Sequence, residues 1–108
     1  MEFQISNPHF SEKSRAVDCL HQVLDPELMV NIIDLGLVYN VEFLESKTIV
    51  VTMTLTSHAC PLGEAIEQGV KNVLTGEFNG FEIITNIVWE PQWTFEDISV
   101  AGRQQLGF

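Results

Sequence analysis

The sequence predicts an α+β domain, in which a small three-stranded mixed sheet carries helices on one face in the order α-β-β-α-β-α. Two stretches space their apolar residues three and four apart, as helices do. Two adjoining stretches alternate apolar and polar residues around a short polar turn, and a third alternation follows the second helical stretch. The strand-helix-strand run between residues 48 and 89 implies a right-handed crossover that makes its two strands parallel.

The first helix is expected from Ser11 to Leu24, with Ala16, Val17, Leu20, Val23 and Leu24 on its apolar stripe and Ser11 as N-cap. Asp25-Pro26 ends it, because proline disfavours helix at the residue before it. Leu37, Tyr39, Val41 and Phe43 then share one face of a first strand. Beyond the turn Glu45-Ser46-Lys47, Ile49, Val51, Met53 and Leu55 share one face of a second, so the pair reads as a hairpin. Helical spacing returns from Pro61 to about Gly76, and Phe81, Ile83, Ile87 and Trp89 mark the third strand. A last short helix starts at Thr94, where Asp97 completes a capping box. The outer sheet face would hold Val50, Ile84 and Val88 among polar residues, a semi-apolar surface for the chain ends or a second copy to cover.

At 108 residues and 45% apolar content, the chain fits one domain over 1–108, with residues 1–10 as a peripheral arm. The start Met1-Glu2-Phe3-Gln4-Ile5 lacks a basic, apolar leader and no run is long enough to span a bilayer, so a cytoplasmic location is expected. The net charge is −10, and the five basic residues are scattered. Nucleic acid and anionic membrane are therefore poor partners. In a reducing compartment Cys19 and Cys60 stay thiols.

Three irregular segments hold the chemistry-bearing residues: 25–36, 56–61 and 89–93. Proline is favoured at the first helical position, so Pro61 leaves Cys60 at the N-cap of the second helix. Unpaired N–H groups and the helix dipole there favour thiolate, the form that attacks electrophiles and binds soft metals. A buried, inert cysteine is the competing reading, and it suits Cys19, which sits inside the first helical stripe. His58 is close enough in sequence to polarise the Cys60 thiol, yet a lone loop histidine is more often a surface residue. Asp25 and Glu27 bracket Pro26 in a turn whose carboxylates either cap backbone N–H groups or work beside a thiol. Trp89 and Trp93 either pack the exit of the last strand or, if exposed, form a partner-binding hot spot. A cluster or zinc site needs about four ligands, and no cysteine pair with ligand spacing exists, so one chain cannot hold a cluster conventionally.

Taken in order, Asp25-Pro26-Glu27-Leu28, Asn31-Ile32, Leu35-Gly36-Leu37-Val38-Tyr39, Thr52-Met53-Thr54-Leu55-Thr56, Cys60-Pro61 and Trp89-Glu90-Pro91-Gln92-Trp93-Thr94 resemble the MIP-eighteen or SufT-like family of iron-sulfur cluster assembly factors. The resemblance runs over roughly residues 12–107. It implies a NifU-C-terminal-like fold, a role in maturing iron-sulfur proteins, and a functional cysteine at Cys60. The PaaD-like branch fits poorly, because no cysteine follows Cys60. The expected site joins Cys60 to Asp25, Glu27, Thr56 and Pro61 in one pocket, with Cys60 the candidate metal contact and Trp89 and Trp93 the partner contacts. The implied cargo is a transient iron-sulfur cluster or iron. Expected partners are apoprotein clients, other iron-sulfur assembly proteins and a second copy in a homodimer. Two alternatives stand beside this reading: an adaptor that recruits clients without binding a cluster, and a thiol enzyme with Cys60 as nucleophile.

Overall fold

The computed structural model describes residues 10–56 and 62–107. Helix α1 spans Phe10–Leu20, strand β1 Val38–Leu44, strand β2 Thr48–Met53, helix α2 Leu62–Glu77 and strand β3 Glu82–Ile87. A 3-10 turn at Phe95–Asp97 precedes helix α3 at Val100–Leu106. The α-β-β-α-β-α order holds. Strand β2 is central, antiparallel to β1 and parallel to β3. The expected arm at residues 1–10 lies, apart from Phe10 in α1, outside the described residues. Among the described residues no helix is long and apolar enough to cross a membrane.

The period-two pattern of β2 settles the inner layer. Ile49, Val51 and Met53 are fully buried and Leu55 nearly so, and they meet Ile66, Val70 and Leu74 of α2 and Ala16 and Leu20 of α1 in one core. On the outer face, Glu42, Val50 and Ile84 lie side by side across the sheet, as do Asn40, Thr52 and Asn86. Only Val50 and Ile84 in those two rows are apolar, and Ile84 is 41% exposed, so most of this face is one that water can cover.

Five expectations are corrected. Helix α1 ends at Leu20, not Leu24, because Val23 N–H turns back to the Leu20 carbonyl while the Val23 carbonyl accepts from Ile32 N–H, and Leu24 bridges Asn31. At its other end α1 already includes Phe10, so Ser11 lies inside the helix rather than at its cap. The alternation in β1 slips at Tyr39: Val38 pairs with Met53 but Asn40 with Thr52, an irregularity that leaves Tyr39 without an opposite residue and turns Val38 inward. Finally, β3 stops at Ile87 short of Trp89, and the last helix divides into the turn capped by Thr94 and Asp97 and then α3, capped by Ser99.

Two tethers fix the C-terminal segment. Asn31 and Asp34 bond each other twice, and Asp34 then accepts from Ser99 Oγ and, through its carbonyl, from Ser99 N–H, both within 3.0 Å. Gly36 (φ +76°) provides the second. A Cβ there would collide with the main-chain oxygen of Asp97. Gly80 has a similar φ of +85° and open space around it. Gly80→Ala should therefore lose only the left-handed conformational term, about 1 kcal/mol. Gly36→Ala adds the clash and should lose about 3 kcal/mol or more. Urea unfolding of both variants checks this, and equal losses would mean that the Gly36–Asp97 contact relaxes freely.

Candidate functional site

The site is built around a buried carboxylate. Asp25 is fully shielded from solvent. Its Oδ1 accepts from the N–H groups of Glu27 at 2.8 Å and Leu28 at 3.0 Å, while its main-chain carbonyl accepts from Met29 N–H at 2.7 Å and its own N–H donates to the Val30 carbonyl. Aspartate suits this turn because its short side chain reaches amides two and three residues on. Met29 sits at φ +59° and is 63% exposed, at the tip of the loop. The second carboxylate oxygen, Oδ2, accepts a long hydrogen bond (3.4 Å) from Thr56 Oγ1, across 31 residues of sequence.

That bond joins the turn after α1 to the segment that leaves β2. The far side of the same segment is held too. Leu55 packs against Gly63 in the first turn of α2 so closely that a Cβ on Gly63 would come within 2.8 Å of Leu55 Cδ1. Cys60, His58 and Pro61 lie outside the described residues, as does the expected N-cap geometry of the thiol. Of the expected pocket, Asp25 and Thr56 are thus brought together. Glu27 stands beside them with its carboxylate exposed and without a hydrogen bond among the described residues.

The two tryptophans differ in burial and in contacts. Trp93 donates from Nε1 to the Leu35 carbonyl at 2.6 Å and packs against the core, so it anchors the loop. Trp89 is 39% exposed and lines a cleft of about 260 Å³ with Thr54, Leu55, Thr56, Glu90, Gln92 and Trp93. The loop that carries it has a cis Glu90–Pro91 peptide and is also tied by Tyr39, whose hydroxyl donates to the Pro91 carbonyl at 3.0 Å. Burial, and then the Asp97 carboxylate, push the Tyr39 hydroxyl above its ordinary range. The nearby Thr54 hydroxyl opposes that shift, yet Thr54 Oγ1, itself buried, lacks the geometry of a full hydrogen bond to any group among the described residues.

Cys19 is buried against the core, and burial first, with the Glu77 carboxylate second, raises its thiol pKa above the ordinary 9.0. A thiol raised by folding stabilises the protein fully below the unfolded value and loses that contribution as pH rises through the folded one. Cys19 is therefore a neutral core thiol at pH 7. Among the described residues no three His, Cys, Asp or Glu side chains converge to hold a metal.

Sequence reasoning missed three features: the Asn31–Asp34–Ser99 bracket, the Tyr39 tether and the unmet Thr54 hydroxyl. The Asn-x-x-Asp spacing hinted at the first. Nothing local signalled the others, which depend on which strand faces which loop.

Residues 13–83 match the family model described as iron-sulfur cluster assembly protein. The chain is 41% identical over 95 residues to the Fe-S protein maturation auxiliary factor YitW of Bacillus subtilis, covering 88% of this chain and 93% of that one. It is 44% identical over 87 residues to the Fe-S protein maturation auxiliary factor SufT of Staphylococcus aureus, covering 79% and 97%. A crystal structure of a domain of unknown function from Bacillus anthracis superposes with a TM-score of 0.84 at 39% identity, over 92% of this chain and 94% of that one.

If Asp25 is the keystone of this site, its variants should separate by how many hydrogen bonds they retain. Asp25→Ala strands two amides and should cost about 3 kcal/mol, whereas Asp25→Asn keeps an acceptor for them and should cost about 1 kcal/mol. Glu27→Gln should be neutral within about 0.5 kcal/mol, as exposed positions usually are. Denaturant melts together with hydrogen exchange at the Glu27 and Leu28 amides test the ordering. Equal losses for the two Asp25 variants would show that the capping bonds contribute little.

Proposed function

Because the chain belongs to the iron-sulfur cluster assembly protein family, we propose that it is an iron-sulfur protein maturation factor that uses Cys60 to contact its cargo while a cluster, or iron, passes to an apoprotein. The observation that supports a role for this end of the molecule is the Thr56–Asp25 hydrogen bond. Cys60 stands four residues beyond Thr56. Four residues of extended chain span at most about 14 Å, and the proposal takes the thiol to work at the same end of the molecule as Asp25 and Glu27.

One thiol and two carboxylates are too few and too mixed a donor set for stable cluster binding, which takes about four ligands, mostly thiolates. The missing ligands come from a second copy of the chain, a small thiol or the acceptor. Such incomplete ligation suits a carrier. When an acceptor thiolate replaces Cys60 on iron, the exchange needs no change of oxidation state, and the weakly held cargo leaves. A homodimer would present two Cys60 thiols to one cluster across a twofold axis.

An adaptor reading remains as the second proposal, because the loop around Trp89 and Glu90 is exposed and firmly tethered, as a docking element would be. The two differ in what removal of the thiol does. With iron, sulfide and an apo acceptor protein under anaerobic conditions, the wild type should speed the rise of the acceptor's visible absorption and Cys60→Ala should not. Equal acceleration by both would favour the adaptor. A companion measurement concerns the thiols themselves. At pH 7 iodoacetamide should label Cys60 well before Cys19, whose labelling should become appreciable only above about pH 9 because its thiolate is disfavoured by burial. Faster labelling of Cys19 in the folded protein would remove the argument for an activated Cys60.

A further inference from the structure

The cleft between the end of β2 and the 89–93 loop shares only Thr56 with the Asp25 site among the described residues, and its chemistry is specific. Its volume of about 260 Å³ lies below the range of pockets for whole metabolites, roughly 300–1,000 Å³, and suits a single long side chain. Two indole rings form its walls, those of Trp89 and Trp93, and the second is locked by its bond to the Leu35 carbonyl. Its polar groups include several acceptors. Glu90 is exposed and forms no ion pair among the described residues, Gln92 offers an amide oxygen, and the Thr56 hydroxyl, which donates to Asp25, accepts no hydrogen bond among the described residues. At the inner wall, Thr54 has a buried hydroxyl with no hydrogen-bond partner among the described residues. No basic side chain lines the cleft among the described residues, and the chain as a whole carries a net charge of −10.

From this arrangement we propose that the cleft receives an arginine side chain from a partner polypeptide. A guanidinium is flat, permanently charged and carries five N–H donors in a fixed fork. It can lie against an indole face while donating to the Glu90 carboxylate and to the amide and hydroxyl acceptors around it. A lysine ammonium, a compact and strongly hydrated point charge, satisfies the carboxylate but not the spread of acceptors along planar walls. The proposal rests on the maturation reading only in taking the partner to be a polypeptide. Binding is read here without cargo and without Cys60.

The chain has two tryptophans, and both line the cleft, so the two indole N–H signals of a ¹⁵N-labelled sample report on it directly. The titrants are N-acetyl-arginine amide, N-acetyl-lysine amide of equal charge, and N-acetyl-citrulline amide, the uncharged shape mimic. The arginine derivative should move an indole signal saturably with a millimolar dissociation constant, as befits one side chain removed from its polypeptide. The lysine derivative should bind at least about threefold more weakly, since it lacks the planar fork. The citrulline derivative should produce no saturable shift. Glu90→Gln, an exposed and isosteric change, should weaken arginine binding about tenfold by removing the charge-assisted bond. Absence of a saturable shift with the arginine derivative would overturn the proposal, as would equal binding of the citrulline derivative or of the Glu90→Gln variant. Lysine binding as tight as arginine would overturn the guanidinium assignment. If Cys60→Ala fails in cluster transfer yet the indole titration is unchanged, the two sites act separately. If the titration fails while transfer depends on Cys60, only the cleft proposal falls.

Discussion

The site end of this molecule depends on the cost of leaving a carboxylate buried without partners. Asp25 has no contact with water, so its charge must be met from within, and it is met by two amides of its own turn and one hydroxyl from the strand exit 31 residues away. Because those partners belong to different parts of the chain, satisfying Asp25 also brings the 25–30 turn and the end of β2 together. The arrangement behaves as one network, in which loss of any member leaves the others paired less well.

The sheet topology explains why the functional residues gather at one end. Strands β2 and β3 are parallel, so the chain leaves both in the same direction, and Thr54–Thr56 and Trp89–Trp93 emerge side by side. A purely antiparallel sheet would have sent one of these segments to the opposite pole, where the Glu45–Lys47 turn lies. The crossover helix α2 then starts from the same end, and its first turn is pressed against Leu55. At the other pole, Arg15 bonds Glu77 through two nitrogens and covers the Phe78 ring, which joins α1 to the end of α2. That exposed ion pair orients the helices more than it stabilises them.

Much of this was legible in the sequence because burial in a small sheet leaves a strict period of two. Ile49, Val51, Met53 and Leu55 could face only one way, and all four are core residues. The ends of elements were harder to read. Val23 and Leu24 continue the helical spacing of Ala16 and Leu20, yet they leave the helix because the returning chain at Asn31 and Ile32 offers their backbone hydrogen bonds. Likewise the slip at Tyr39 depends on which residue β2 places opposite, and alternation along one strand carries no record of its neighbour. The expectation that Asp25 lies near the exit of β2 rested on packing both helices on one sheet face; Asp25 meets Thr56 there, while Cys60 and Pro61 of the expected site lie outside the described residues. The thiol of Cys60 rests on its place in the sequence, ahead of α2, and on the family resemblance.

The central claim is that Asp25 and Cys60 share one electrostatic environment. The measurement closest to it is the rate of Cys60 alkylation as a function of pH in the folded wild type and in folded Asp25→Asn, with Cys19 replaced by alanine in both. A carboxylate near a thiol disfavours the thiolate, so neutralising it should shift the midpoint of the rate profile to lower pH. A midpoint that stays in place in a variant that remains folded would contradict the claim, and would leave Asp25 a structural cap with no influence on the thiol.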